Sequence, residues 1–233
     1  MKARSNKRKG PEQLLRKEIC RVGKAMDASG LSAFLGVYAP GNLSARLPGS
    51  ERIIISPSGL DKGLLTPGDL VVVDLNGHRV EGKYKVSTET PTHCAIYRKR
   101  PDVNAVVHAH SPGALAFAVA HQEIPATTIE LAAVSGARVP LARYAAPGTE
   151  DLAVNTAEAL GDGSAVIMAN HGMAAVGSTL DEAFNNALSV EFTARININA
   201  KTLGGIAELP VDEVSGIRNY VLKEYGQKQR KPA

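Results

Sequence analysis

The segment 104–113, NAVVHAHSPG, delivers two imidazoles at the end of an apolar run. His108 and His110 are two residues apart, and in a strand such residues share a face. Both rings can therefore meet one metal ion. His171 closes a second apolar run, VIMAN over 166–170, and is followed by Gly172. Three neutral imidazoles that leave one coordination position open form the donor set of a catalytic zinc-type centre. An isolated His-x-His pair says little; the third strand-end histidine gives the pattern its weight. His78, His93 and His121 fall on turns or helix faces and read as surface or supporting residues.

The elements that must position these rings are legible from periodicity. Residues 11–30 carry Leu14, Leu15, Ile19, Val22 and Met26 at helical spacing, with Gly30 as the stop. Alternation predicts strands over 43–47 and 52–56 around a Pro-Gly-Ser turn. An Asn76-Gly77 turn predicts a hairpin of 70–75 with 78–81. A helix follows, capped by Ser87 or Thr88 with Glu89 in its first turn. The 105–110 run is a strand, and SPGALAFAVAHQ from 111 is a helix with Pro112 in its first turn. A short strand is expected over 138–144, a helix ended by Gly161 and Gly163, and a strand over 164–171. A long amphipathic helix begins at Thr179, with Leu180, Ala183, Phe184, Ala187, Leu188, Glu191 and Phe192 on its inner stripe. No repeat or composition break divides the chain, which argues for one α/β domain over 11–226 between basic tails at 1–10 and 227–233.

Composition narrows the functional classes. The chain has 233 residues, 44% of them hydrophobic, and no apolar run approaches the length of a membrane span. The basic N-terminus is followed by PEQLLRKEIC and not by an apolar core, so no secretory signal is expected. Cys20 and Cys94 form no CxxC pair, which suits a reducing cytoplasm. The net charge of +4 resides in the tails, and with no Trp and 4% aromatics nothing suggests a nucleic-acid surface.

Several segments together resemble the class II aldolase/adducin family, most closely its L-fuculose-1-phosphate-type aldolases. The resemblance spans roughly 12–200. It rests on GNLSAR (41–46), SPSGLDK (56–62), GDLVVVDLNG (68–77), STETPTHCAIYRKRPDVNAVVHAH (87–110), YAAPGTEDLA (144–153) and NHGMAAVGSTLDEAF (170–184). It implies a three-layer α/β/α fold around a largely antiparallel sheet. It also implies that His108, His110 and His171 bind a divalent ion, usually zinc, with manganese or cobalt as alternatives. Glu89 matches the catalytic acid/base, and Gly41, Asn42, Ser58, Gly59, Ser87 and Thr88 match the phosphate cradle. Tyr225 in KEYGQ corresponds to a catalytic tyrosine of the C-terminal tail.

The implied reaction cleaves a ketose 1-phosphate to dihydroxyacetone phosphate and an aldehyde. Breaking the C3–C4 bond leaves an enediolate, and a cation held by three neutral ligands keeps most of its charge to offset it. One carboxylate then moves protons. Small residues let backbone N–H groups approach a phosphate closely, and a helix N-terminus near Ser87 adds its dipole. The sequence departs from the pattern in PATTIELAAVSG (125–136), where Ile129 and Glu130 stand in the stretch that carries a family tyrosine. That departure points to a different aldehyde half, such as a deoxy or thio-substituted one. Metal-dependent decarboxylases and pentulose-5-phosphate 4-epimerases of the same superfamily share the pattern, and a non-catalytic adducin-like binding module shares the fold but need not keep the metal ligands. Relatives are commonly cytoplasmic homotetramers with sites at subunit interfaces, acting on small phosphorylated sugars without nucleic acid or membrane.

Overall fold

The structure, a computed structural model, describes residues 6–32 and 39–225. Its strands are β1 (Asn42–Arg46), β2 (Arg52–Ile55), β3 (Val71–Asp74), β4 (Arg79–Glu81), β5 (Ala105–Ala109), β6 (Leu141–Ala142), β7 (Ala165–Met168) and β8 (Gly172–Gly177). They form one sheet in the order β4-β3-β2-β1-β5-β8-β7-β6. Every neighbouring pair is antiparallel except β6 with β7.

The sheet is covered on both faces, which is why its central strands read as nearly continuous apolar runs. Within each run the side chains alternate between two cores. Ile54, Val72, Val107, Ile167 and Met173 join one core with residues of α1 (Asn6–Ala28), α3 (Pro112–Val119), α4 (Ile129–Ser135) and α6 (Leu180–Thr202). Ile53, Ile55, Val71, Val73, Val106 and Val166 join the other, against α2 (Thr90–Lys99) and α5 (Glu150–Leu160). This is the three-layer α/β/α arrangement. A last helix, α7 (Val211–Lys223), packs on α4.

Four differences from the sequence-based expectations have physical causes. Helix α1 begins at Asn6, so residues 6–10 are helical where a frayed basic end was expected; Lys and Arg are good helix formers. Residues 1–5 and 227–233 of the two basic tails lie outside the described residues. Strand β8 follows directly on β7, but its small residues, GMAAVG, carry little of a strand's usual signature. Helices α4 and α7 were not anticipated: α4 has only seven residues, and α7 buries only Val214 and contains Gly216. On α6, Phe192 is exposed, whereas the neighbouring Glu191 is buried. That carboxylate accepts the Gly113 and Ala114 N–H groups at 3.0 Å each, capping α3 from across the interface. A charged residue takes the inner position because it finds two donors there.

Candidate functional site

The end of the central strands, where β1 starts and β5 finishes, opens into a cavity of about 490 Å³. His108 is in β5, directly opposite Asn42 of β1 and Ala174 of β8. His110 follows two residues later, and His171 sits in the tight turn joining β7 to β8. Two glycines make this geometry possible. Gly41 has a φ of +77°, and a Cβ on it would lie 2.7 Å from the His108 carbonyl oxygen. A Cβ on Gly172 would lie 2.5 Å from the Ala109 carbonyl oxygen. Any side chain at either position would push against the backbone of β5, the strand that carries His108. Asn170, just before His171, holds a φ of +55° and accepts a hydrogen bond from His121 at 2.6 Å.

The three imidazoles converge. Their centroids form a nearly equilateral triangle, with sides of 4.8, 4.9 and 4.9 Å. One nitrogen from each lies within 4.8 Å of the others. His108 donates Nδ1–H to the Met173 carbonyl at 2.8 Å, which leaves Nε2 as a lone pair 3.0 Å from His110 Nε2. His171 Nδ1 is buried with no hydrogen-bond partner among the described residues. Burial holds all three below the ordinary histidine value: His108 far below it, His110 down to about 4, and His171 lower as well. Mutual repulsion adds to this for His108 and His110. Three neutral nitrogen donors aimed at one point, one ring with an orphaned buried nitrogen, suit a single divalent cation.

Around this triangle the same cavity is lined by Gly41, Asn42, Ser58, Gly59, Ser87, Thr88 and Glu89. The structure therefore brings together ten of the eleven residues singled out from the sequence. Glu89 is 5% exposed and occupies the N-cap of α2, where Ser87 and Thr88 had been expected to cap. The cause is a turn before the helix: Ser87 Oγ accepts Glu89 N–H at 3.3 Å and the Ser87 carbonyl accepts Thr90 N–H at 3.1 Å. Desolvation raises the Glu89 carboxyl above its usual range, against weaker stabilisation by Thr92 and the Gly148 backbone. Among the described residues no lysine or arginine side chain lines the cavity, so the donors they offer an anion are N–H groups, hydroxyls and the α2 N-terminus.

Tyr225 is the exception. It is 67% exposed and lies against Tyr220, with centroids 6.1 Å apart, in a separate groove that also includes Ile129 and Glu130. A position on a terminal helix end carries no sequence signal for which surface it will join. Further contributors escaped the sequence reading, Ala39, Pro40 and Pro57 among them. Leu115 and Pro147 add apolar wall to the cavity. Lys62, inside the quoted SPSGLDK segment, is buried and donates Nζ hydrogens to the Ala39 and Leu60 carbonyls at 3.2 and 2.7 Å. It ties the 39–42 loop down from behind, and burial lowers its pKa to about 8.

A family profile for the class II aldolase and adducin N-terminal domain matches residues 17–198. The chain belongs to the class II aldolase/adducin family. Among its relatives, a 5-deoxy-D-ribulose 1-phosphate aldolase of Bacillus thuringiensis serovar kurstaki is 39% identical over 91% of this chain and 97% of its own length. A 3-oxo-tetronate 4-phosphate decarboxylase of Escherichia coli is 33% identical over 85% of this chain and 96% of its own. A solved L-fuculose 1-phosphate aldolase superposes with a TM-score of 0.82 and 36% identity, covering 88% of this chain and 94% of that one. Class II aldolases use a divalent metal, and the histidine triangle is where this family member could hold one.

Proposed function

We propose that the chain is a metal-dependent aldehyde-lyase that cleaves a ketose 1-phosphate to dihydroxyacetone phosphate and an aldehyde. The observation that carries this reading is one cavity holding three convergent imidazoles, a buried carboxyl and a cradle of small polar residues. His108, His110 and His171 hold the cation, taken to be Zn2+, with Mn2+ or Co2+ as substitutes. When bound, that cation supplies the positive charge that stabilises the developing oxyanion. Asn42, Ser58, Ser87, Thr88 and the backbone at Gly41 and Gly59 bind the phosphate through neutral donors. Glu89, with its raised pKa, takes and returns the proton at the enediolate carbon.

Ala39, Pro40, Pro57, Leu115 and Pro147 add hydrocarbon to the cavity lining, which suits an aldehyde half with a deoxy or thio-substituted tail better than a polyhydroxylated one. The similarity to a 5-deoxy-D-ribulose 1-phosphate aldolase supports the same choice. The reading includes a cytoplasmic homotetramer with its sites at subunit boundaries, in which Tyr225 contributes to a neighbouring copy's site. The test is a product assay on a panel of ketose 1-phosphates. Release of dihydroxyacetone phosphate, fastest with 5-deoxy substrates and abolished by chelation, is the expected result. Release of CO2 from a 3-oxo acid phosphate instead would make the chain a decarboxylase.

A further inference from the structure

Behind the cavity wall lies a closed polar relay that the reaction described above does not use. His93, on α2 one turn after Glu89, is 0% exposed. Its Nε2 is hydrogen-bonded to Asn42 Oδ1. Its Nδ1 is 2.6 Å from Ser44 Oγ, which is in turn 2.9 Å from the Tyr97 hydroxyl. Arg46 anchors the far end: its Nη2 donates to the Tyr97 carbonyl at 2.8 Å and its guanidinium lies 5.0 Å over the Tyr97 ring.

With the Asn42 oxygen facing His93, donor and acceptor counting leaves one arrangement. An amide oxygen only accepts, so His93 Nε2 carries the hydrogen. Burial lowers the ring's pKa to about 3, so the imidazole is neutral and Nδ1 is a lone pair. Ser44 must then donate its O–H to Nδ1, and Tyr97 must donate its O–H to Ser44. With Oδ1 committed to His93, the Asn42 amide can turn only its NH2 group away from the relay. Among the described residues that NH2 makes no protein hydrogen bond, and Asn42 lines the cavity directly across from His108 in the β1–β5 register.

We infer that His93 is a positioning residue for the anion cradle: its Nε2–H locks the Asn42 amide so that the NH2 group, not the oxygen, faces the phosphate. An unlocked amide presents either end, and the carbonyl end repels an anion. Because His93 lies on the helix whose cap is Glu89, the relay also ties the acid/base helix to strand β1. This inference rests on the phosphate reading of the cavity and can fail separately from it.

Two measurements test it. The first is 15N NMR of the His93 ring at neutral pH in the wild-type protein: protonated Nε2 with bare Nδ1 is expected, and an Nδ1–H tautomer would overturn the inference. The second is titration of the metal-loaded protein with inorganic phosphate, followed by calorimetry. Asn42→Ala weakens phosphate binding about tenfold, the loss of one hydrogen bond to a charged group. His93→Asn, which cannot reach Asn42, produces the same loss alone and no further loss in the Asn42→Ala background. His93→Gln, whose amide nitrogen stands near the Nε2 position, stays within about twofold of wild type. Wild-type affinity in a folded His93→Asn protein, or an undiminished effect in the Asn42→Ala background, contradicts the positioning role alone. No sensitivity of phosphate binding to Asn42 sinks the phosphate reading and this inference together. Should His93→Asn not fold, the ring tautomer and His93→Gln decide.

Discussion

Two concave regions of comparable size lie on this molecule and have opposite characters. The histidine cavity measures about 490 Å³ and is lined by ten of the residues that sequence patterns had selected. The groove between α4 and α7 measures about 570 Å³ and is lined by Ile129, Ala133, Ile217, Tyr220, Val221 and Tyr225, with Glu130 as the only charged residue among the described ones. The first is built at the ends of central strands, where backbone register fixes side chains to fractions of an ångström. The second is built on helix faces at the periphery, where several side chains are exposed. The polar groups of the first converge and most are buried, which is the arrangement that suits chemistry; volume alone confers none.

Substitutions can break or sharpen this contrast. The largest effect is expected for His171→Ala, which removes one of three metal ligands: turnover falls at least about 10³-fold and bound metal is lost on dialysis. Ile129→Ser in the α4–α7 groove leaves metal content unchanged, as elemental analysis of the two proteins would show. Glu89→Gln is next, with a loss of about 10²–10⁴-fold in turnover at unchanged metal content. Full turnover in Glu89→Gln would remove the acid/base assignment.

Acid stability gives an intermediate effect. Burial pushes the His93 pKa down to about 3, from an ordinary histidine value of 6.5. Between those values the unfolded chain binds a proton that the folded chain does not, so stability is lost as pH falls from 6.5 toward 3. The thermal midpoint is therefore expected to drop from pH 7 to pH 5, and His93→Gln to show a shallower drop. A pH-independent midpoint would contradict burial of a neutral ring. The smallest effect is that of Glu191→Gln. A carboxamide cannot accept both the Gly113 and Ala114 N–H groups with the strength of the carboxylate. Denaturant unfolding should show a loss of about 1–3 kcal/mol, with turnover changed far less than in Glu89→Gln.

The difference between the two regions also explains what the sequence revealed. His108 and His110 were readable because a buried strand has a strict two-residue period, so the facing of both rings follows from the run that precedes them. The strands around RIII and VVVD were readable from alternation and turn residues, but a sheet covered on both faces became an expectation only through the family resemblance. The convergence of Glu89 and the small cradle residues on those rings became an expectation only through family resemblance. The role of His93 was hidden because its partner Asn42 is 51 residues away and only the fold makes them neighbours. Strand β8 was hidden because close approach demanded glycine and alanine where strands usually advertise themselves with bulk. Tyr225 was singled out by motif alone, and within one chain it lies in the other region.

The most direct test is a titration of the metal-free protein with Zn2+. The account predicts one tight site per chain, abolished equally by His108→Ala, His110→Ala and His171→Ala and untouched by Tyr225→Phe. Wild-type zinc affinity in any of the three histidine variants would contradict it.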